Sequence, residues 1–194
     1  MSGSTFWRGV TALLPELEAL LRGAGESGCT ERLDRLVQEL DLGLSWEVGP
    51  GKRETYMLAL GCGMDAGKLE AARELIAQAP TVEGWELLAG RPAREWDRRV
   101  EVRGRLVDLS GWRYWLAQYA DGKLGVSFVP SSREGLSESD LQSVAGLLLV
   151  SELGESVAAA MIAEYEVVDS RAQRDLPSLS PVADLRDHLD SLVS

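Results

Sequence analysis

Residues 44–60 read LSWEVGPGKRETYMLAL, and this stretch decides the fold class. Apolar and polar side chains alternate from Leu44 to Val48, which is typical of a strand with one buried face. Residues 55–60 follow as a second strand that becomes apolar on both faces, so we expect it in the centre of a sheet. Gly49-Pro50-Gly51 marks a turn between the two strands. Together they predict a β-hairpin.

A second hairpin is predicted further along the chain. Residues 114–120 and 123–129 read as strands, and Asp121-Gly122 between them favours the tight turn that hairpins require. Shorter strands are predicted at residues 85–89, 100–102 and 164–168.

Helices are predicted where apolar residues recur at helical spacing. The first contains Pro15, which either bends the helix or divides it into two segments. Ser137 and Asp140 form the capping-box pattern at the start of a long helix, and Gly154 breaks that helix near its end. The predicted helices begin near Thr5, Thr30, Lys68, Ser137 and Ser180.

These elements predict a single α+β domain over residues 1–194. Its mainly antiparallel sheet contains the hairpins at 44–60 and 112–129, with the short third strand joined to them. The helices at 68–79 and 138–163 cover one face of this sheet, and the N- and C-terminal helices pack at its ends.

The same assignment predicts the core and one linker. Trp46, Leu58, Leu75 and Trp85 lie on the inward faces of their predicted elements, so we expect them in one core. The segment 169–180 is polar and contains a proline, and it is predicted to link the last strand to a C-terminal helix.

The charge of the chain limits its partners. Its 194 residues include 31 acidic and 20 basic side chains, which gives a net charge of −11. This field repels phosphate backbones and anionic lipids, so nucleic acids and membranes are not expected partners. A basic protein fits the charge better, although an excess of acid also serves solubility alone. The composition does not predict an oligomeric state.

Metal and disulfide chemistry are weakly represented in the sequence. Cys29 and Cys62 are far apart, and no CxxC pair or Cys/His cluster predicts a zinc site. The sequence is compatible with a disulfide between them but does not indicate one.

No apolar run is long enough to span a bilayer, and Glu16 and Glu18 interrupt the Leu-rich N-terminal stretch where a signal peptide would be apolar. We therefore expect a cytoplasmic protein.

The Gly-rich loop at 61–67 resembles a phosphate-binding turn. Residues 61–66 match GxGxxA between a predicted strand and a predicted helix, where a dinucleotide pyrophosphate binds. A P-loop does not fit. Cys62 occupies the position of its first glycine, and Leu69 occupies the position of the Ser or Thr that binds magnesium. Asp65 would also repel phosphate. The favoured interpretation is a strand-to-helix turn capped by Asp65, and the alternative is a nucleotide or small-molecule site.

The segment Arg91–Arg99 concentrates basic residues around Trp96. Guanidinium groups beside an indole can clamp a carboxylate or another anion, so this segment could recognise an anion or an acidic peptide. The favoured interpretation is structural: the Arg stems cover aromatic side chains at a sheet edge, and their guanidinium groups pair with Glu or Asp.

Carboxylates and one histidine are the remaining candidates for chemistry. His188, the only histidine, is predicted to be exposed on the last helix, with nothing in the sequence to order a partner beside it. Glu152 and Glu155 lie close together in sequence, as do Glu164, Glu166 and Asp169, and paired carboxylates can carry out acid–base chemistry or bind a hard cation. We interpret both groups as solvated surface. No catalytic, cofactor-binding or metal-binding residue is assigned.

Short motifs in a fixed order resemble an uncharacterised family of bacterial proteins. The resemblance spans most of the chain and implies a mixed α/β cytosolic domain with no established activity. Its motifs are Phe6-Trp7, Trp46-Glu47-Val48-Gly49-Pro50, Ala79-Pro80, Gly84-Trp85-Glu86, Arg91-Pro92 and Leu153-Gly154-Glu155.

Two classes of function follow from these observations. The first is a non-enzymatic protein-interaction domain, such as an acidic inhibitor or an immunity-type partner of a basic protein, which the net charge favours. The second is a small-molecule or nucleotide-binding protein that uses the loop at 61–67. The absence of a catalytic constellation favours the first.

Overall fold

A computed structural model describes residues 1–25, 28–133, 135–169 and 178–193. The chain forms two compact units, Met1–Pro92 (unit 1) and Ala93–Ser194 (unit 2), and each is described by itself. Both combine helices with strands, so the predicted α+β class is confirmed. The prediction that all 194 residues form one domain stays a prediction.

The described residues of unit 1 form a three-stranded sheet and three helices. The central strand β2 (Tyr56–Gly61) pairs antiparallel with β1 (Ser45–Pro50) and parallel with β3 (Trp85–Ala89). The first hairpin is therefore confirmed, with Ser45 opposite Gly61 and Pro50 opposite Tyr56. The helices of unit 1 are α1 (Gly3–Leu21), α2 (Gly28–Gln38) and α3 (Ala66–Ile76).

The core of unit 1 lies between this sheet and the helices. Leu58, Leu75 and Trp85 are buried in one cluster, and Trp46 packs against it while partly exposed, so the predicted core is confirmed. Trp7 of α1 is also buried, and its indole N–H donates to the Leu75 carbonyl oxygen at 2.7 Å. This bond satisfies a carbonyl in the last turn of α3 and ties that helix to α1.

The described residues of unit 2 form six strands, three α-helices and one short 3-10 helix. A four-stranded sheet has the order β8–β7–β6–β9, in which β7 and β8 are parallel and the other pairs antiparallel, and β4 and β5 form a separate hairpin. The strands are β4 (Arg99–Val102), β5 (Arg105–Asp108), β6 (Arg113–Gln118), β7 (Leu124–Val129), β8 (Ile162–Val167) and β9 (Ser180–Pro181). The helices are α4 (Glu138–Leu153), α5 (Glu155–Met161) and α6 (Leu185–Val193).

Local sequence signals explain several elements of unit 2. Gly122 has a φ of 83°, as the tight turn between β6 and β7 requires. The capping box is confirmed: Ser137 accepts from the Asp140 N–H, and the Asp140 carboxylate accepts from the Ser137 N–H. Gly154, with a φ of 79°, ends α4 and precedes α5.

No single helix in the described ranges is long and apolar enough to cross a membrane. Taken together, α4 and α5 have the necessary length and composition, but they are bent by 107° relative to each other.

The structure corrects the predicted sheet. The two hairpins were expected in one sheet, but β1–β2 and β6–β7 belong to different sheets, and β3 and β8 add parallel pairs. Alternating polarity identifies a strand and its buried face but carries no information about its partner.

The start of the last helix in unit 2 also differs from expectation. The last helix was expected to begin at Ser180, but Ser180-Pro181 pairs with β6, and α6 begins at Leu185 after a single 3-10 turn. Most of the predicted linker at 169–180 lies outside the described residues.

Candidate functional site

The Gly-rich loop of unit 1 forms a self-capped turn. Asp65 is the N-cap of α3, and its Oδ1 accepts from the Lys68 N–H at 2.9 Å. Gly63 and Met64 both have positive φ, 60° and 65°, which turns the chain sharply between β2 and α3. A carboxylate of this chain thus lies at the helix N-terminus, where a bound phosphate would otherwise be placed. The favoured interpretation, a capped strand-to-helix turn, is confirmed.

The arginines of the segment 91–99 pair with polar partners. In unit 1, Arg91 donates to Ser45 Oγ at 3.1 Å and lies 3.3 Å from a Glu47 carboxylate oxygen. In unit 2, Arg94 donates to Ser151 Oγ at 3.1 and 3.2 Å. The Arg91 contact with Glu47 matches the structural interpretation, in which the guanidinium groups pair with Glu or Asp, whereas Arg94 meets a serine hydroxyl instead.

Glu152 is the centre of a buried polar cluster in unit 2. Its Oε1 accepts from the Trp96 indole N–H at 2.9 Å, and its Oε2 accepts from Arg98 at 3.1 Å. Arg186 of α6 donates to the Glu152 main-chain oxygen at 2.6 Å. A cleft of about 230 Å³ opens beside this cluster. The charge of Glu152 is matched by Arg98, so the cluster holds the 94–98 segment and α6 against the end of α4.

The prediction that Glu152 and Glu155 form a solvated surface is wrong. Glu152 is 3% exposed and Glu155 is fully buried. Both lie close to Gly154, where α4 ends and the chain bends by 107° into α5. Helical periodicity could not show this, because the burial of Glu152 depends on Trp96 and Arg98, which are more than fifty residues away in sequence.

His188 is exposed on α6, as predicted, but it has an ordered partner. Its Nδ1 lies 2.9 Å from the hydroxyl of Tyr114, which is buried in β6. Burial of the phenol, together with the negative charge of Asp184, raises the pKa of Tyr114 to about 12. The pair links α6 to the four-stranded sheet, so it has a structural role.

The outer face of the four-stranded sheet carries two ordered carboxylates. Residues that are opposite each other on neighbouring strands point to the same face. The register places Trp115 of β6 opposite Ser127 of β7, and Ser127 opposite Glu166 of β8. Glu164 lies one pleat earlier on the same face of β8, opposite Gly125. We call Trp115, Tyr119, Ser127, Glu164 and Glu166 the acidic face.

Neutral hydroxyl groups hold both carboxylates in place. Ser127 Oγ donates to Glu166 Oε1 at 2.8 Å, and the Tyr119 hydroxyl donates to Glu164 Oε1. Tyr119 reaches Glu164 across β7 at Gly125, where a Cβ atom would lie 2.9 Å from its hydroxyl oxygen. The hydrogen bond to Glu164 is the main cause that raises the pKa of Tyr119, and the Glu166 charge adds to it.

The two glutamates of the acidic face differ from most other paired carboxylates of the described residues in having no basic partner there. Other carboxylates pair with arginine: Glu47 with Arg91, Glu152 with Arg98 and Asp140 with Arg103. Within the part of the chain that the structure describes, neither Glu164 nor Glu166 has a cationic side chain in ion-pair contact. Both are exposed, so they present a fixed double negative charge to solvent.

Sequence reasoning identified Glu164 and Glu166 but not the residues that order them. The position of Ser127 opposite Trp115 could have been predicted, because the hairpin register follows from the Asp121-Gly122 turn. The parallel pairing of β7 with β8 could not, because a helical crossover separates these strands.

The described residues contain no group of three or more His, Cys, Asp or Glu side chains arranged to hold a metal ion. No family model, curated protein or solved structure matches this chain. The resemblance to an uncharacterised bacterial family therefore stays a prediction.

Proposed function

We propose that this protein is a non-enzymatic, cytosolic protein-interaction domain that binds a basic partner through the acidic face of unit 2. An inhibitor or immunity-type role toward a basic protein fits this activity. The observation that carries the proposal is the pair Glu164 and Glu166, which are exposed, are held by neutral hydroxyls and have no arginine partner among the described residues. Membership of the bacterial family indicated by the short motifs is part of the same proposal.

The composition of the acidic face suits protein recognition. Opposite charge speeds association and selects against wrong partners, while aromatic side chains supply much of the affinity. Tyr119 is 39% exposed and Trp115 is partly exposed, and the register places Trp115 in one cross-strand row with Glu166. The face therefore combines aromatic contact area with ordered charge.

The other polar groups that were candidates for chemistry have structural partners. Glu152 is matched by Arg98, and His188 is bonded to Tyr114. The nucleotide-binding alternative at 61–67 has less support, because the Asp65 carboxylate already caps α3.

Charge reversal on the acidic face tests the proposal. A partner is captured by cross-linking from the native lysate, and its association rate is measured across a salt series. Glu164→Lys with Glu166→Lys is compared with a matched pair in unit 1, Glu74→Lys with Glu83→Lys. Each Glu→Lys change removes one negative and adds one positive charge, so both double variants change the net charge from −11 to −7.

We expect only the acidic-face variant to lower the association rate strongly, by about tenfold or more at low salt. We also expect the wild-type rate to fall as salt rises, because exposed charges are screened beyond roughly 8–10 Å near physiological ionic strength. Equal effects of the two double variants, a rate that does not depend on salt, or a strongly acidic partner would contradict the proposal.

A further inference from the structure

We propose that the basic partner contributes an extended segment that pairs with the open edge of β8 as an added strand. In this arrangement alternate Lys or Arg side chains of the segment meet Glu164 and Glu166. The inference rests on the proposed function and specifies the backbone conformation of the ligand.

The first step is that one edge of β8 is unpaired among the described residues. In the sheet order β8–β7–β6–β9, β8 is terminal, and β7 is the one described strand that pairs with it. The N–H and C=O groups of one residue point to the same side of a strand, and this side alternates along the chain. The Val168 N–H donates to Phe128 of β7 at 2.9 Å, so Glu166 and Glu164 also point their backbone groups toward β7.

The backbone groups of Tyr165 and Val167 therefore point away from the sheet. A second contact agrees with this parity: the Tyr165 carbonyl oxygen accepts from Gln142 Nε2 of α4, not from β7, at 3.0 Å. The Tyr165 N–H and both backbone groups of Val167 have no partner among the residues that the structure describes. An extended ligand could satisfy these groups in the way that a further strand does.

The second step is that the charge of the edge selects the occupant. Glu164 and Glu166 are on one face of β8, two residues apart, so every second side chain of an added strand would lie beside them. A second copy of this chain paired edge to edge would bring like carboxylates together, which is unfavourable. A strand with Lys or Arg at alternate positions places opposite charges there.

The other edges of the three-stranded and four-stranded sheets lack this combination. β9 consists of Ser180 and Pro181 only, and proline lacks the N–H that a ladder needs. β1 ends in Pro50, and its Glu47 already pairs with Arg91. On β3, the Glu86 carboxylate accepts from the backbone N–H groups of Arg53 and Glu54.

A designed peptide provides the probe. The full chain, labelled for heteronuclear NMR, is titrated with a short blocked peptide of alternating Lys and Val. We expect saturable binding with a dissociation constant of about 1 mM or tighter, and the largest shifts at the amides of Tyr165 and Val167. Glu164→Lys with Glu166→Lys should weaken binding about tenfold, and Glu74→Lys with Glu83→Lys should leave it nearly unchanged.

Two methylated peptides distinguish strand addition from a purely electrostatic contact. One carries N-methyl groups on all Lys amides and the other on all Val amides, so their charge and composition are identical. Only one set of amides faces β8 in an added strand. We therefore expect one methylated peptide to lose binding and the other to keep it.

A third variant tests the position of Gln142. Gln142→Ala removes the side chain that donates to the Tyr165 carbonyl, where an N–H of the added strand would donate. We expect binding to become tighter by about threefold, since a competing hydrogen bond is removed. A purely ionic contact would not respond in this way.

The outcomes separate the two proposals. If charge reversal weakens binding but both methylated peptides bind equally, the acidic face is used and strand addition is wrong. If charge reversal has no effect, both proposals are wrong. If no saturable shift occurs up to about 5 mM peptide, the edge does not accept a basic strand and the inference is overturned.

Discussion

At the scale of single residues, Glu164 controls the ionisation of Tyr119. The phenol donates to the carboxylate, so ionising the phenol removes that bond and places two negative charges side by side. This raises the pKa of Tyr119 above its ordinary value. We expect Glu164→Gln to lower that pKa toward the usual tyrosine range, as measured by absorbance titration.

Two further variants serve to assign and control this absorbance titration. Tyr119→Phe identifies the contribution of Tyr119 among the four tyrosines of the chain. Glu47→Gln, a neutralised carboxylate that pairs with Arg91 in unit 1, should leave the Tyr119 titration unchanged. A Tyr119 pKa that stays the same in Glu164→Gln would contradict the hydrogen bond on which the acidic face depends.

Gly125 is the residue that allows Tyr119 to cross β7. A Cβ at this position would lie 2.9 Å from the Tyr119 hydroxyl oxygen, so the phenol must move if alanine replaces glycine. We expect Gly125→Ala to weaken the bond to Glu164 and to lower the pKa of Tyr119, although both carboxylates remain. A wild-type titration curve in this variant would show that the phenol reaches Glu164 by another path.

At the scale of elements, the capping box stabilises the start of α4. We expect Ser137→Ala to lower the free energy of unfolding by about 1 kcal/mol, because it removes the N-cap oxygen that accepts from the Asp140 N–H. Ser143→Ala in the same helix is the control, since its hydroxyl only donates back to the Ser139 carbonyl. Chemical denaturation of both variants makes the comparison, and equal losses would argue against the cap.

The pH dependence of this cap has a definite sign. Hydrogen bonds from Ser137, with Arg103 nearby, hold the pKa of Asp140 below its ordinary value. A carboxyl whose pKa is lowered by folding stabilises the native state above its unfolded pKa. That contribution is lost as the pH falls through the lowered native value, and we expect Ser137→Ala to reduce this acid-sensitive part of the stability.

The elements that could be predicted are those with local causes. The β6–β7 turn, the Ser137 cap and the Asp65 cap each depend on residues within a few positions of one another. β9 could not be predicted, because only its pairing with β6 makes Ser180-Pro181 a strand. Glu164 and Glu166 were recognised as acids, but their hydroxyl partners depend on a parallel pairing that no local pattern encodes.

At the scale of the whole molecule, the buried aromatic residues test how cooperative the chain is. Trp85 is 6% exposed in the core of unit 1, so we expect Trp85→Ala to cost about 3–5 kcal/mol of unfolding free energy. Hydrogen exchange should show lost protection at the amides of β1, β2 and β3. A wild-type denaturation midpoint would contradict the assigned core.

The same exchange experiment tests the single-domain prediction. If all 194 residues form one cooperative domain, amides in β6 and β7 lose protection together with those of unit 1. Independent protection of β6 and β7 would contradict that prediction.

The parallel pairing of β7 with β8 also has a consequence for the order of folding. The β6–β7 hairpin closes through a local turn, and hairpins of this kind form in roughly 1–10 μs. β8 follows α4 and α5 in the chain, so its loop-closure entropy is larger and its pairing is slower. We therefore expect the surface that carries Glu164 and Glu166 to be assembled after the hairpin during refolding. A nascent chain would complete the acidic face only once the crossover has formed.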